Sequence, residues 1–177
     1  TTNAITPCLI AYQDSVPVFF ISGQVQKNDN IRSHGGRIRG YFGSDCDIVE
    51  SVKSITKYAV ELTDPGKVLY ELERCYHSLT TGRIGPVWLS VPVDVQSMDV
   101  PDTLHRYIAP DTNVNEEYMI PSEFLSLWAN SKRPIVLAGN GIHLSKTKDE
   151  FHRFLRRFTL PYVVSFFGSD LGDTYIG

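Results

Sequence analysis

The chain has 177 residues, 42% of them hydrophobic and 21% charged, with a formal net charge of -3. That is enough apolar side chain for a sizeable core, in one ordinary domain or parts of two. The charge balance argues against a dedicated nucleic-acid binder, which carries a basic stripe. No apolar run approaches the roughly 20 residues that span a bilayer, and the start is not the basic-then-apolar type of a secretory signal. Cys8, Cys46 and Cys75 lack C-x-x-C spacing. Such usage fits reduced cytoplasmic thiols, buried or half-buried, better than a disulfide framework or a zinc site.

In chain order, Asn3 to Ala11 reads as a helix, with Thr2 or Asn3 as its cap. Val16 to Gly23 is a continuous β-branched and aromatic run ending in glycine, the pattern of a buried parallel strand. A polar, glycine-rich loop occupies Gln24 to Gly43, and a short helix over Asp47 to Ile55 precedes a strand over Lys57 to Leu62. Asp64-Pro65 opens a helix, Asp as cap and Pro at the first helical position. Val68, Leu69, Leu72, Tyr76 and Leu79 follow the spacing of one apolar face. The helix ends at Gly82, and Val87 to Val91 forms another buried strand.

Pro92 to Asn115 holds three prolines and no sustained periodicity, which marks a linker. The rhythm then restarts. Pro121 and Ser122 precede a helix carrying Phe124, Leu125 and Trp128, and Ile135 to Ala138 is a short strand. Phe151, Phe154, Leu155 and Phe158 mark a further helical face before a strand beginning at Tyr162. The fold class expected is α/β, with two incomplete parallel-sheet, three-layer domains. Their bounds are residues 1–96 and 116–177, joined by a linker over 97–115. Thr1 without a methionine, and Gly177 without a terminating element, fit an internal piece of a longer chain.

Searches for single catalytic motifs return little. H-E-x-x-H, G-x-S-x-G and a Walker lysine loop are absent. Gly139-Asn140-Gly141 stands between a strand and a helix, but Leu144 takes the place of the third glycine of G-x-G-x-x-G. A tight turn accounts for these glycines; a nucleotide or flavin phosphate on the loop amides is the other reading. The five histidines are scattered, and His77 and His152 read as solvated helix residues. His34, Arg32, Arg37 and Arg39 share the glycine-rich loop. They could meet a phosphate or carboxylate, although a solvated loop is the ordinary reading.

Ordered blocks carry more weight. Thr2-Asn3-Ala4-Ile5-Thr6, Asp14-Ser15-Val16-Pro17 and Ile21-Ser22-Gly23-Gln24-Val25 come first. Asp47-Ile48-Val49, Ser54-Ile55-Thr56-Lys57-Tyr58 and Thr81-Gly82-Arg83 follow, then Gly85-Pro86-Val87-Trp88-Leu89 and Val91-Pro92-Val93-Asp94-Val95-Gln96. Lys132 to Gly139 closes the series. In order and spacing these blocks resemble thiamine-diphosphate-dependent enzymes of the acetolactate synthase type.

The resemblance implies the later part of a pyrimidine-binding domain followed by the earlier part of a Rossmann-like central domain. It implies a 2-oxo acid substrate, thiamine diphosphate and magnesium in the longer parent, and FAD as an open question. It also implies a homodimeric or homotetrameric cytoplasmic parent, without nucleic-acid or membrane partners. Carried over residue by residue, Thr2, Asn3 and Gln24 fall near the cofactor, with cap or strand-end roles as the structural alternative. The activating glutamate would precede Thr1. Gly172-Asp173-Thr174 lacks the second glycine of the diphosphate motif, so no metal site is expected in this chain. Ser44 and Asp45 occupy the loop where relatives carry a reaction-centre glutamine, and no catalytic residue is assigned. The leading expectation is a part not catalytic alone, with a sugar-pathway carboligase as the nearest enzymatic variant. A non-catalytic nucleotide-binding or subunit-assembly module is the alternative.

Overall fold

The computed structural model describes residues 1–35, 37–40, 45–111 and 119–172. The chain divides into two compact units, residues 1–112 and 113–177.

The first unit opens with a 3-10 turn at Thr2–Ala4 and helix α1, Ile5–Gln13. Neither Thr2 nor Asn3 caps it: both lie inside the 3-10 turn, and no side chain caps either element. Ser15, at φ 56, turns the chain. Strand β1 starts only at Phe19 and runs to Gln24, later than the apolar run suggested. Pro17 has no N–H to offer a ladder, and Val16 and Pro17 are exposed. Helix α2 covers Ile48–Val52, with Asp47 as its cap accepting from the Glu50 N–H at 3.0 Å. Strand β2 is Tyr58–Glu61 and helix α3 is Val68–Thr80. Asp64 and Pro65 do start this segment, but its first turn is 3-10. Gly82, at φ +64, takes the left-handed conformation that suits a glycine after a helix. Strand β3, Val87–Pro92, is followed by one helical turn, α4, Val93–Gln96, where the linker was expected to begin.

The three strands form a parallel sheet in the order β1-β3-β2. The period-2 alternation of β3 divides the core. Trp88 points to one face, against Cys8 of α1 and Ile48, Val49 and Val52 of α2. Val87 and Leu89 point to the other, against α3 through Cys75, Val68, Leu72 and Leu79. The result is three layers. Trp88 stacks on Phe20 at 4.9 Å and donates its indole N–H to Ser22 Oγ at 2.9 Å. Tyr76, placed on the buried face by its spacing, is 66% exposed, and Cys75 takes the inward position. Glu71 on α3 is buried and accepts from the Tyr58 hydroxyl at 2.7 Å.

The stretch after α4 is strapped to the first unit. The Glu73 carboxylate accepts from the Arg106 guanidinium and, at 2.9 Å, from the Tyr107 N–H. The Tyr107 ring meets Tyr70 and His77, each with centroids 5.5 Å apart.

The second unit contains helix α5, Ser122–Asn130; strand β4, Val136–Ala138; helix α6, Gly141–Leu144; helix α7, Lys148–Phe158; and strand β5, Tyr162–Val164. β4 and β5 pair in parallel. Phe151 and Leu155 of α7 are buried with Ala138 and Leu171. Phe154 and Phe158, expected on that same face, are half exposed and meet Trp128 of α5 instead. Both units are therefore α/β with parallel strands.

Candidate functional site

Parallel strands end together, so their last residues gather at one edge, where α/β sheets place ligands. Here Gln24 of β1 stands opposite Pro92 of β3. Beyond that edge lies a cleft of about 330 Å³ whose lining includes Thr1, Gln24, Val25, Cys46, Ile48 and Val93. Among the described residues, no charged side chain lines it.

Gln24 organises this edge. Its side-chain N–H donates to the Cys46 carbonyl at 2.7 Å, and its carbonyl accepts from the Val25 N–H at 3.0 Å. One amide thus ties the strand end to the loop that enters α2. Gln96, also in the lining, donates to the Val91 carbonyl at 2.8 Å; outside the lining, Asp94 accepts from the Lys27 N–H at 3.0 Å. Burial raises the Cys46 thiol above its ordinary pKa, with the Asp45 charge adding to the effect. Cys8 and Cys75 are buried and pushed up to about 11 and about 12. All three are free thiols in their protonated form, not thiolate nucleophiles.

Beside the cleft is a polar cluster that the residue pattern did not announce. Asn30, 1% exposed, donates to Glu61 Oε1 at 3.0 Å, and its own side-chain carbonyl accepts from the Ser33 N–H at 2.9 Å. Glu61 is the last residue of β2; its second oxygen, Oε2, is buried without a hydrogen-bond partner. Burial raises the Glu61 carboxyl above its ordinary pKa, and Asn30 and Arg32 offset part of that rise. Arg32 pairs with Asp47 at 2.9 Å, so this part of the glycine-rich loop is tied to the start of α2 and is not simply solvated. The available signal was a charged residue interrupting the apolar run Tyr58-Ala59-Val60-Glu61-Leu62.

Of the expected site residues, Gln24 lines the cleft, while Thr2 and Asn3 are exposed and Thr1 lines it in their stead. Asp45 is half-buried next to Cys46, and Ser44 lies outside the described residues, as do Asp173 and Thr174. Gly139 is explained by packing: a Cβ there would stand 3.2 Å from Ser165 Oγ. Around Gly141 a Cβ would meet nothing, and the Asn140 side chain makes no cap bond to α6, which is only four residues long. His77 and His152 are not simply solvated: His77 Nδ1 lies 3.3 Å from Thr81 Oγ1, and His152 Nε2 lies 3.0 Å from the Leu171 carbonyl. Among the described residues no group of acids, histidines and cysteines has the arrangement of a metal site. No helix there is long and apolar enough to cross a membrane.

No family model matches the chain. Curated proteins similar to it include acetolactate synthase large subunits, and similarity to them covers 94% of the chain. The enzyme of Lactococcus lactis is 29% identical over 173 residues, and that of Haemophilus influenzae 28% over 179. A chloroplastic acetolactate synthase of Nicotiana tabacum is 28% identical over 177 residues. The chain spans 28% and 29% of the two bacterial proteins and 24% of the tobacco one. The similarity to acetolactate synthases thus runs along nearly the whole chain, which spans about a quarter of the length of these relatives.

Proposed function

We propose that these 177 residues are part of a thiamine-diphosphate-dependent decarboxylase or carboligase acting on a 2-oxo acid, of the acetolactate synthase type. The observation that carries the reading is the similarity to those large subunits over 94% of the chain. Residues 1–96 correspond on this reading to the later pyrimidine-binding domain, and 116–177 to the earlier central domain. The catalytic assembly is a cytoplasmic homodimer or homotetramer. Three free thiols accord with a reducing compartment.

The chemistry of the cleft supports the cofactor assignment in part. A cavity of about 330 Å³ with apolar walls and neutral amides suits an uncharged aminopyrimidine ring. Among its described lining residues there is neither a cationic side chain nor a carboxylate for a diphosphate with magnesium. The chain on this reading supplies one side of a site and is not catalytic alone. When bound, thiamine diphosphate supplies an electron sink. The protein's share here is positional: Gln24 holds the Cys46 carbonyl, which fixes the loop entering α2 beside the cleft.

The test is an activity assay on a polypeptide of the relatives' full length that contains these residues. With pyruvate, thiamine diphosphate and magnesium it releases carbon dioxide. Gln24→Ala lowers kcat/KM by about tenfold or more, since misplacing a site wall by an ångström is costly. Activity without added thiamine diphosphate in cofactor-stripped protein, or an unaffected Gln24→Ala variant, contradicts the reading.

A further inference from the structure

At the opposite, amino edge of the same sheet, a cavity of about 500 Å³ is lined chiefly by Tyr12, Gln13, Lys57, Thr81, Gly82 and Arg83. Lys57 immediately precedes β2, and Gly82 and Arg83 lie in the turn leading from α3 towards β3. Among the described residues, two cations line this cavity and no carboxylate does.

How those cations are held is the informative point. The Lys57 ammonium donates to the Thr81 carbonyl. Arg83 Nε donates to the hydroxyl of buried Ser15 at 2.8 Å. Both groups are thus oriented by neutral acceptors, which fix their positions and leave their charges uncompensated. Arg32, Arg106 and Arg153 instead sit on carboxylates. Among the described residues, neither Lys57 nor Arg83 is in an ion pair. With Nε engaged by Ser15, the two terminal guanidinium nitrogens keep the planar fork that matches an oxyanion. Burial lowers the pKa of Lys57, as expected for a half-enclosed ammonium without a counter-ion.

We propose that this amino-edge cavity binds a small oxyanion, a phosphate or carboxylate group carried on a small molecule. Lys57 and Arg83 supply the counter-charge, while Tyr12 and Gln13 face the uncharged remainder of the ligand. The site stands apart from the carboxyl-edge cleft and does not depend on the catalytic assignment made for it.

The test is a titration of the full 177-residue chain with inorganic phosphate, and in a second arm with acetate, at constant ionic strength. Backbone amide resonances of Lys57, Gly82 and Gly85 report binding. Saturable shifts in at least one arm are expected, and which arm saturates identifies the anion. Arg83→Gln, at an exposed position, weakens binding by about tenfold, the scale of one charge-assisted hydrogen bond. Arg153→Gln, in the second unit, leaves it unchanged. Shifts that drift linearly in both arms, or an Arg83→Gln variant with unchanged affinity and an intact spectrum, overturn the proposal.

Discussion

Glu61 ends β2 with one oxygen bonded to buried Asn30 and the other enclosed without a partner. Burial is the leading cause of its raised pKa. The folded protein therefore holds this proton more tightly than the unfolded chain does. Its contribution to stability is fully present below the unfolded value of about 4.3 and is lost as pH rises through the folded value. Glu61→Gln keeps the shape and abolishes the titration. The melting temperature of the variant minus that of the wild type should grow between mildly acidic and mildly basic pH. A difference that stays flat with pH contradicts the assignment. Little of this cluster was legible in the sequence, because Asn30 lies in a polar loop whose composition suggested solvent. Only the fold turns that residue inward, to 1% exposure. Gln24 was legible through the resemblance alone, its position reading as the start of the polar loop; in the fold it is the last residue of β1, at the edge where parallel sheets gather ligands.

Among the elements, the helices and strands were readable where a local pattern dictated them. Asp64-Pro65 started the α3 segment and Gly82 followed its end, as caps and breakers require. Tyr76 and Cys75 exchanged roles because both fit the helical spacing within one position, and the sheet face chose the smaller side chain. The stretch after β3 looked like a free linker since proline and aspartate gave it no period. In the fold, Glu73 and Tyr107 strap part of it along α3 by contacts some 34 residues apart in sequence, which no local pattern encodes. Tyr107→Ala removes the ring contacts to Tyr70 and His77. Limited proteolysis of this variant should cut residues 99–111 several-fold faster than wild type, with about the same melting temperature, because local opening is governed by local contacts. Equal cleavage rates would mean that the strap contributes nothing to order.

For the whole molecule, two units each build a parallel α/β core, and similarity to acetolactate synthase large subunits runs through both. Strand-helix alternation made the fold class legible, whereas substrate and acceptor were not, because Ser44 and Asp45 match no glutamine of that loop. On the proposed reading this chain supplies the neutral, pyrimidine-facing side of a thiamine-diphosphate site, and the diphosphate and metal side comes from residues outside it. Calorimetry of thiamine diphosphate with magnesium tests this most directly, run in parallel on the 177-residue chain and on a polypeptide of the relatives' full length containing it. Magnesium-dependent binding by the longer polypeptide and no measurable heat from the 177-residue chain are expected. Micromolar, magnesium-dependent binding by the shorter chain, or none by the longer, would contradict it.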